Sequence, residues 1–179
     1  MKRKIKSFNK VIGLIICLLV FSSVGVYASP NNNQPVDAES FVDYFNIDES
    51  YLYEEVSNSS SNNINNYRYI TFNRGINRYI TPTFSSQRYL VGEGTPNTEV
   101  GIMVYTIESG TVNENQIIFQ KIGASGLFNQ TVYFDAIGDN YVLIAVKKDG
   151  DVVYRNHIVN RKAEETKNRL EVLNITLFD

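Results

Sequence analysis

From residue 67 onward the chain is written in short apolar runs rich in β-branched and aromatic residues, broken at regular intervals by Gly, Asn and Asp. This rhythm narrows the fold more than any other feature, because such runs suit strands and their boundaries are residues that turn the backbone. It predicts strands at 67–72, 78–84, 88–94, 99–107, 116–122, 127–134, 141–148 and 152–159. Asp149-Gly150 separates the last two. A two-residue turn of this kind needs positive φ, which Gly150 supplies, so the pair predicts a tight hairpin. In Val142-Leu143-Ile144-Ala145-Val146 both faces are apolar, as in a central strand covered on two sides, and no periodicity phases the run. Seven or eight antiparallel strands make an all-β sandwich.

The N-terminus reads differently. Residues 1–28 combine a basic start (MKRKIKSFNK), an apolar run from Val11 to Phe21 and a small-residue exit at Val26-Tyr27-Ala28, the order of a secretory signal peptide cut between Ala28 and Ser29. An uncleaved anchor is the alternative, weakened by Ser22, Ser23 and Gly25 within the span. The only cysteine, Cys17, lies in this run behind Ile16, which does not suit lipidation. A cleaved chain therefore contains no cysteine, which excludes thiol chemistry, disulfides and cysteine zinc sites.

Between Ser29 and Tyr67 there is no Lys or Arg, while Asp37, Glu39, Asp43, Asp48, Glu49, Glu54 and Glu55 supply acid. Phe41, Phe45, Leu52 and Val56 fall on one helical face, so this leader is either a short amphipathic helix or a disordered acidic arm. The run SNSSSNNINN at 57–66 reads as a polar linker closing a 29–66 leader, with the folded domain at 67–179. Near the C-terminus Glu165 with Arg169, and Lys167 with Glu171, stand at helical spacing, predicting a short helix docked by Leu170, Leu173 and Leu177. Of the 17 basic groups, five lie in the signal, which leaves 12 against 19 acidic ones, a net −7. Such a surface disfavours nucleic acid and anionic lipid, so membrane contact is expected only through an uncleaved leader.

Three stretches carry a resemblance. In Val91-Gly92-Glu93-Gly94-Thr95-Pro96-Asn97-Thr98 a strand meets a Pro-containing turn in which Asn97 stands where Gly is usual, and Asn tolerates the left-handed region. Gly126-Leu127-Phe128-Asn129-Gln130-Thr131-Val132-Tyr133-Phe134 is a glycine turn followed by an alternating strand with Phe128, Val132 and Phe134 inward. Gly138-Asp139-Asn140-Tyr141 leads into the apolar strand. Together these resemble the bacterial extracellular immunoglobulin-like (Ig-like) domains. The resemblance implies an Ig-like antiparallel sandwich with Tyr141 tying its hydroxyl to an earlier backbone group as a tyrosine corner does. It implies little about function, because the architecture hosts many.

Catalytic signals are sparse. His157 is the single histidine and reads as a surface-facing strand residue. Gly123-Ala124-Ser125-Gly126 is similar to a nucleophile elbow but has its second Gly too early and sits before a strand, so it reads as a turn. Asp135, Asp139, Asp149 and Asp151 flank the 141–148 strand and read as turn acids, with calcium ligation as the alternative. Tyr67, Arg68, Tyr69, Arg74, Arg78, Tyr79 and Arg88 form a basic aromatic group suited to sugar or peptide recognition, or to guarding an edge strand. No enzyme, cofactor or metal is expected. The sequence points to a secreted or cell-surface, non-enzymatic module whose partner is an envelope protein or glycan. An accessory module or inhibitor of a secreted hydrolase is the alternative.

Overall fold

The computed structural model describes residues 34–56 and 64–176. The signal segment with Ala28 and Ser29, and most of the 57–66 linker, lie outside them. Eight strands form: β1 Ile70–Arg74, β2 Ile80–Thr83, β3 Gln87–Gly94, β4 Glu99–Glu108, β5 Thr111–Lys121, β6 Leu127–Tyr133, β7 Gly138–Lys148 and β8 Asp151–Arg161. They make a two-sheet sandwich, with a small sheet ordered β1-β3-β6 and a large one ordered β2-β8-β7-β4-β5. Helix α1, Ala38–Phe45, and a 3-10 turn at Glu49–Tyr53 precede the strands, and α2, Glu164–Thr176, follows them.

The expected antiparallel pattern holds for every strand pair except one. β2 runs parallel to β8, with Ile80 beside Ile158 and Pro82 beside Asn160, so the large sheet is mixed. After β1 the chain crosses to the other sheet and joins its edge, where a proline without an N–H is tolerated. β7 and β8 close at Asp149 and Gly150, with φ of 51° and 86°. A second hairpin of the same kind joins β4 to β5 through Ser109 and Gly110, φ 53° and 79°. The sequence reading placed the start of β5 too late, because its first turn of residues, with exposed Asn113, Glu114 and Asn115, carries no apolar signal.

Burial phases the strand that periodicity left open. Val142, Ile144 and Val146 join Val100, Ile102 and Val104 in the core between the sheets, with Phe72, Leu90, Phe128 and Val132 opposite. Leu143 and Ala145 join Met103 and Tyr105 in a second core on the other side, closed by Phe41, Val42, Phe45 and Leu52. The acidic leader is therefore a third layer, and helix is the alternative the structure takes at residues 38–45. A capping box starts α1: Asp37 accepts from Ser40 N at 2.8 Å while Ser40 Oγ accepts from Asp37 N at 3.1 Å. Asn46 ends it in the left-handed conformation at φ 50°. Leu52 belongs to the 3-10 turn and reaches the same core from there.

Polar contacts fix the layer. Tyr105 donates to the Leu52 carbonyl at 2.9 Å, Tyr44 to Glu99 at 3.0 Å, and Lys147 Nζ to the Tyr44 carbonyl at 2.9 Å. A domain beginning at Tyr67 would expose this second core. The end of the linker is also structural: Ile64 is buried, Asn66 bridges to Thr71, and Arg155 donates to the Ile64 and Asn66 carbonyls. In α2, Lys167 pairs with Glu164 at 2.7 Å, and Leu170, expected to dock, is half exposed.

The docking of α1 depends on a glycine. A Cβ on Gly101 would stand 2.3 Å from Phe45 Cε2 and 2.8 Å from Phe41 Cε2, and its register partner on β7 is the small Ala145. Gly101→Val is expected to destabilise the protein by about 2 kcal/mol through overpacking of this face, read as a lowered denaturation midpoint. Gly150→Val is expected to cost ~1 kcal/mol or more, because a β-branched residue resists positive φ; an unchanged melting temperature would refute the turn's role.

Candidate functional site

The residues of the three resembling stretches are spread along the sandwich and serve its backbone. A Cβ on Gly92 would meet the Thr71 carbonyl at 2.7 Å, so the bare backbone there lets β1 lie close against β3. Asn97, after Pro96, takes φ 67° and donates its N–H to the Ile122 carbonyl at 2.8 Å. Gly126 and Gly138 have φ of 72° and 102°, and Phe128, Val132 and Phe134 all point into the core. Asn140, fully buried, donates to the Ala136 carbonyl at 2.9 Å and the Gly138 carbonyl at 3.3 Å, closing the loop between β6 and β7. Tyr141 is placed otherwise than as a corner: its ring stacks on Tyr105 at 5.2 Å, on the helix-covered face.

His157 is a correction, since it is buried at 1% exposure. It stands beside Val142 in the register of β7 and β8, so it shares the face of the inter-sheet core. Its Nδ1 lies 3.3 Å from the Arg78 carbonyl and its Nε2 2.5 Å from the Tyr67 hydroxyl. A carbonyl only accepts, so Nδ1 carries the hydrogen and Nε2 accepts from Tyr67. Tyr79 stacks on the ring at 5.7 Å. Burial lowers the imidazole pKa to about 4, a shift opposed by the Arg78 hydrogen bond. Ser125 is elsewhere, exposed in its turn, with Oγ accepting from Leu127 N at 3.4 Å.

The loop aspartates do not converge. Asp135 and Asp139 precede or open β7 and Asp149 and Asp151 follow it, at opposite ends of an 11-residue strand, about 35 Å of extended chain. Asp139 accepts from Asn160, and Asp151 from Arg68 and, at 2.7 Å, from the Tyr69 hydroxyl. These two donors hold the Asp151 carboxyl below the usual range, Tyr69 first. Among the described residues no three metal-ligating side chains cluster.

The basic aromatic group divides three ways: Arg68 and Tyr69 with Asp151, Tyr67, Tyr79 and the Arg78 carbonyl with His157, and Arg74 with Arg88 at a cleft of about 470 Å³. Besides the two arginines the cleft is lined by Asn77, Thr81, Ser85, Gln87 and Tyr89. Gly75 shapes it: with φ 102°, the chain leaves β1 so close over β3 that a Cβ would meet the Tyr89 carbonyl at 2.5 Å. Arg88 donates to the Gly75 carbonyl at 2.9 Å and holds this crossing. Arg74 and Tyr89 are exposed. Sequence reasoning found the arginines but missed the amides, hydroxyls and Tyr89, whose one sign was an aromatic at an outward strand position. This is a donor-rich cleft with a ring at its rim, suited to binding an oxygen-bearing group. No family model, characterised protein or solved structure matches the chain.

The buried histidine has a measurable consequence. Its folded pKa lies below the ordinary 6.5, so the unfolded chain binds its proton first as the pH falls. The stability His157 contributes is present above pH 6.5 and is lost on descending to about pH 4, by up to about 3 kcal/mol. Comparing wild type with His157→Gln across this window is expected to show a flatter pH dependence in the variant. Parallel curves would refute it.

Proposed function

We propose that the chain is an exported, non-catalytic Ig-like module of the bacterial envelope that holds an acceptor-rich partner, glycan or protein, in the Arg74 cleft. The observation that carries the reading is the cleft itself, where a solvent-facing guanidinium, carboxamides and hydroxyls meet the exposed ring of Tyr89. Guanidinium and amide donors recognise carboxylates and hydroxyls with directional hydrogen bonds, and an aromatic ring adds an apolar surface for stacking.

The topology supports the Ig-like part. β3 and β6 adjoin as strands B and E do in immunoglobulin sheets, and β8-β7-β4-β5 follow the order G-F-C-C′. β2 adds a further strand at the G edge. The basic, apolar and small-residue order of residues 1–28 supports export. The single histidine takes no part in the cleft, since both of its ring nitrogens are engaged in the core.

Co-sedimentation with envelopes from the producing organism tests the reading. Wild type is expected to pellet with envelopes, and Arg74→Ala to reduce the bound fraction about fivefold or more, the size of a lost charge-assisted hydrogen bond, with the melting temperature unchanged. Failure of wild type to associate would overturn the proposal.

A further inference from the structure

The chain enters the sandwich through a short strap, residues 64–67, laid along the edge of the small sheet at β1. Phe72 N–H donates to the Asn65 carbonyl at 2.9 Å, Asn65 Nδ2 donates to the Phe72 carbonyl at 2.9 Å, and Tyr67 N–H donates to the Ile70 carbonyl at 2.9 Å. Without the strap, β1 would end its sheet with unpaired backbone groups. Two side chains of β8 hold the strap down. Arg155 and His157 stand two positions apart and so share a face. Arg155 donates to the Ile64 carbonyl at 3.1 Å and the Asn66 carbonyl at 2.7 Å, and its guanidinium lies 4.8 Å from the centre of the Tyr67 ring. His157 Nε2 accepts from the hydroxyl of Tyr67, a fully buried residue whose ring meets Phe72 edge-on at 5.5 Å. Just beyond, Arg68 has φ 61°, and both it and Tyr69 donate to Asp151. The strap is pinned behind Tyr67 by one carboxylate and closed by one imidazole.

The surroundings of His157 suit the neutral ring. Facing it are the Tyr67 hydroxyl from the strap, the Arg78 carbonyl and Tyr79 ring from the segment entering β2, and Arg155 on its own strand, with Val142 beside it on β7. None of these is an anion, and burial holds the Tyr67 hydroxyl neutral by pushing its pKa well above the ordinary value. A second ring proton would place an imidazolium in the dry core near a guanidinium, with Nε2 no longer able to accept from Tyr67. Asp151 does not share this titration, because Tyr69 and Arg68 hold its carboxyl below the usual range.

We infer that residues 64–67 form an acid-released strap, with the Tyr67–His157 bond as its catch and Arg68 as its hinge, which uncovers the edge of β1 while the rest of the sandwich stays folded. The strap is separate from the Arg74 cleft and does not rest on the reading given to it. Opening hydrates the ring and breaks a few bonds at a sheet edge, whereas β4 and β7 keep both cores. With the strap closed the ring takes its proton only near pH 4, and with it open near the ordinary 6.5. Closure is therefore fully present above pH 6.5 and weakens about tenfold per pH unit on descending towards 4.

Amide hydrogen exchange of the full chain, followed by NMR from neutral pH to about pH 4 and corrected for the intrinsic pH dependence of exchange, tests the strap. The Tyr67 and Phe72 amides are expected to lose protection about tenfold per pH unit, to level off where the native imidazole titrates, and to exchange independently of dilute urea. The single histidine makes that imidazole signal unambiguous. Amides of β4 and β7 are expected to stay about tenfold or more better protected and to respond to urea. His157→Gln is expected to abolish the strap's pH slope, and Asp151→Asn to leave it in place. Where His157→Gln does not fold, the wild-type slope and imidazole titration decide. A strap that exchanges together with β4 and β7, a slope absent from wild type or retained in His157→Gln, or a native imidazole titrating near 6.5 would overturn the inference.

Discussion

The meeting of Phe41 and Phe45 with the bare backbone of Gly101 sets the architecture. Any side chain at Gly101 would occupy space the two rings fill, and the alanine beside it on β7 keeps the neighbouring position shallow. Because the rings sink into this hollow, a helix of only eight residues, with the 3-10 turn behind it, can cover the central strands of the large sheet. An isolated helix of that length has no stability of its own in water, so α1 exists by virtue of its packing and caps. The dependence runs both ways. Without α1, Met103, Tyr105, Leu143 and Ala145 would face solvent as a contiguous apolar patch.

This coupling explains the composition of the central strands. A sandwich sheet ordinarily alternates apolar and polar residues, one face inward and one wet. β4 and β7 depart from that rule because both of their faces are dry. The same fact limited what the sequence disclosed. The run Val142 to Val146 announces double coverage, yet every position looks alike, and only the assignment of Phe41 and Phe45 to one side distinguishes Leu143 and Ala145 from Val142 and Ile144. The leader offered those aromatics in an acidic stretch with no basic residue, a texture equally suited to disorder, so the partner of the second face was hidden in plain composition.

Elsewhere legibility followed local chemistry. Asp149-Gly150 was readable because turn geometry is encoded in two residues, and the strand centres because apolar alternation is encoded in a few. Ser109-Gly110 has the same geometry but joins a strand whose first residues are solvent-facing and polar, so the turn stood without a flanking signal. The parallel pairing of β2 and the burial of His157 depend on which strand lies beside which, and nothing local encodes that. His157 is buried beside a strand edge where Tyr67, Tyr79 and the Arg78 carbonyl arrive from 78 to 90 residues away.

The division of the basic aromatic group follows from the same non-local logic and bears directly on the site. Residues adjacent in sequence, Tyr67 to Tyr69, alternate between core and surface, so one joins His157 while its neighbours engage Asp151. Arg68 and Tyr69 are thereby committed to an intramolecular carboxylate, and their chemistry is spent within the chain. Arg88 is partly committed too, through the Gly75 carbonyl. Arg74 differs because the irregularity in β1 turns it outward, onto the face that carries Tyr89 and away from the Asp151 end. The irregularity fixes which face the residue serves, while its exposed side chain keeps its own rotamer freedom. The irregularity thus turns an edge-strand arginine, a residue that elsewhere guards a sheet edge, onto the outer face of the small sheet at the cleft.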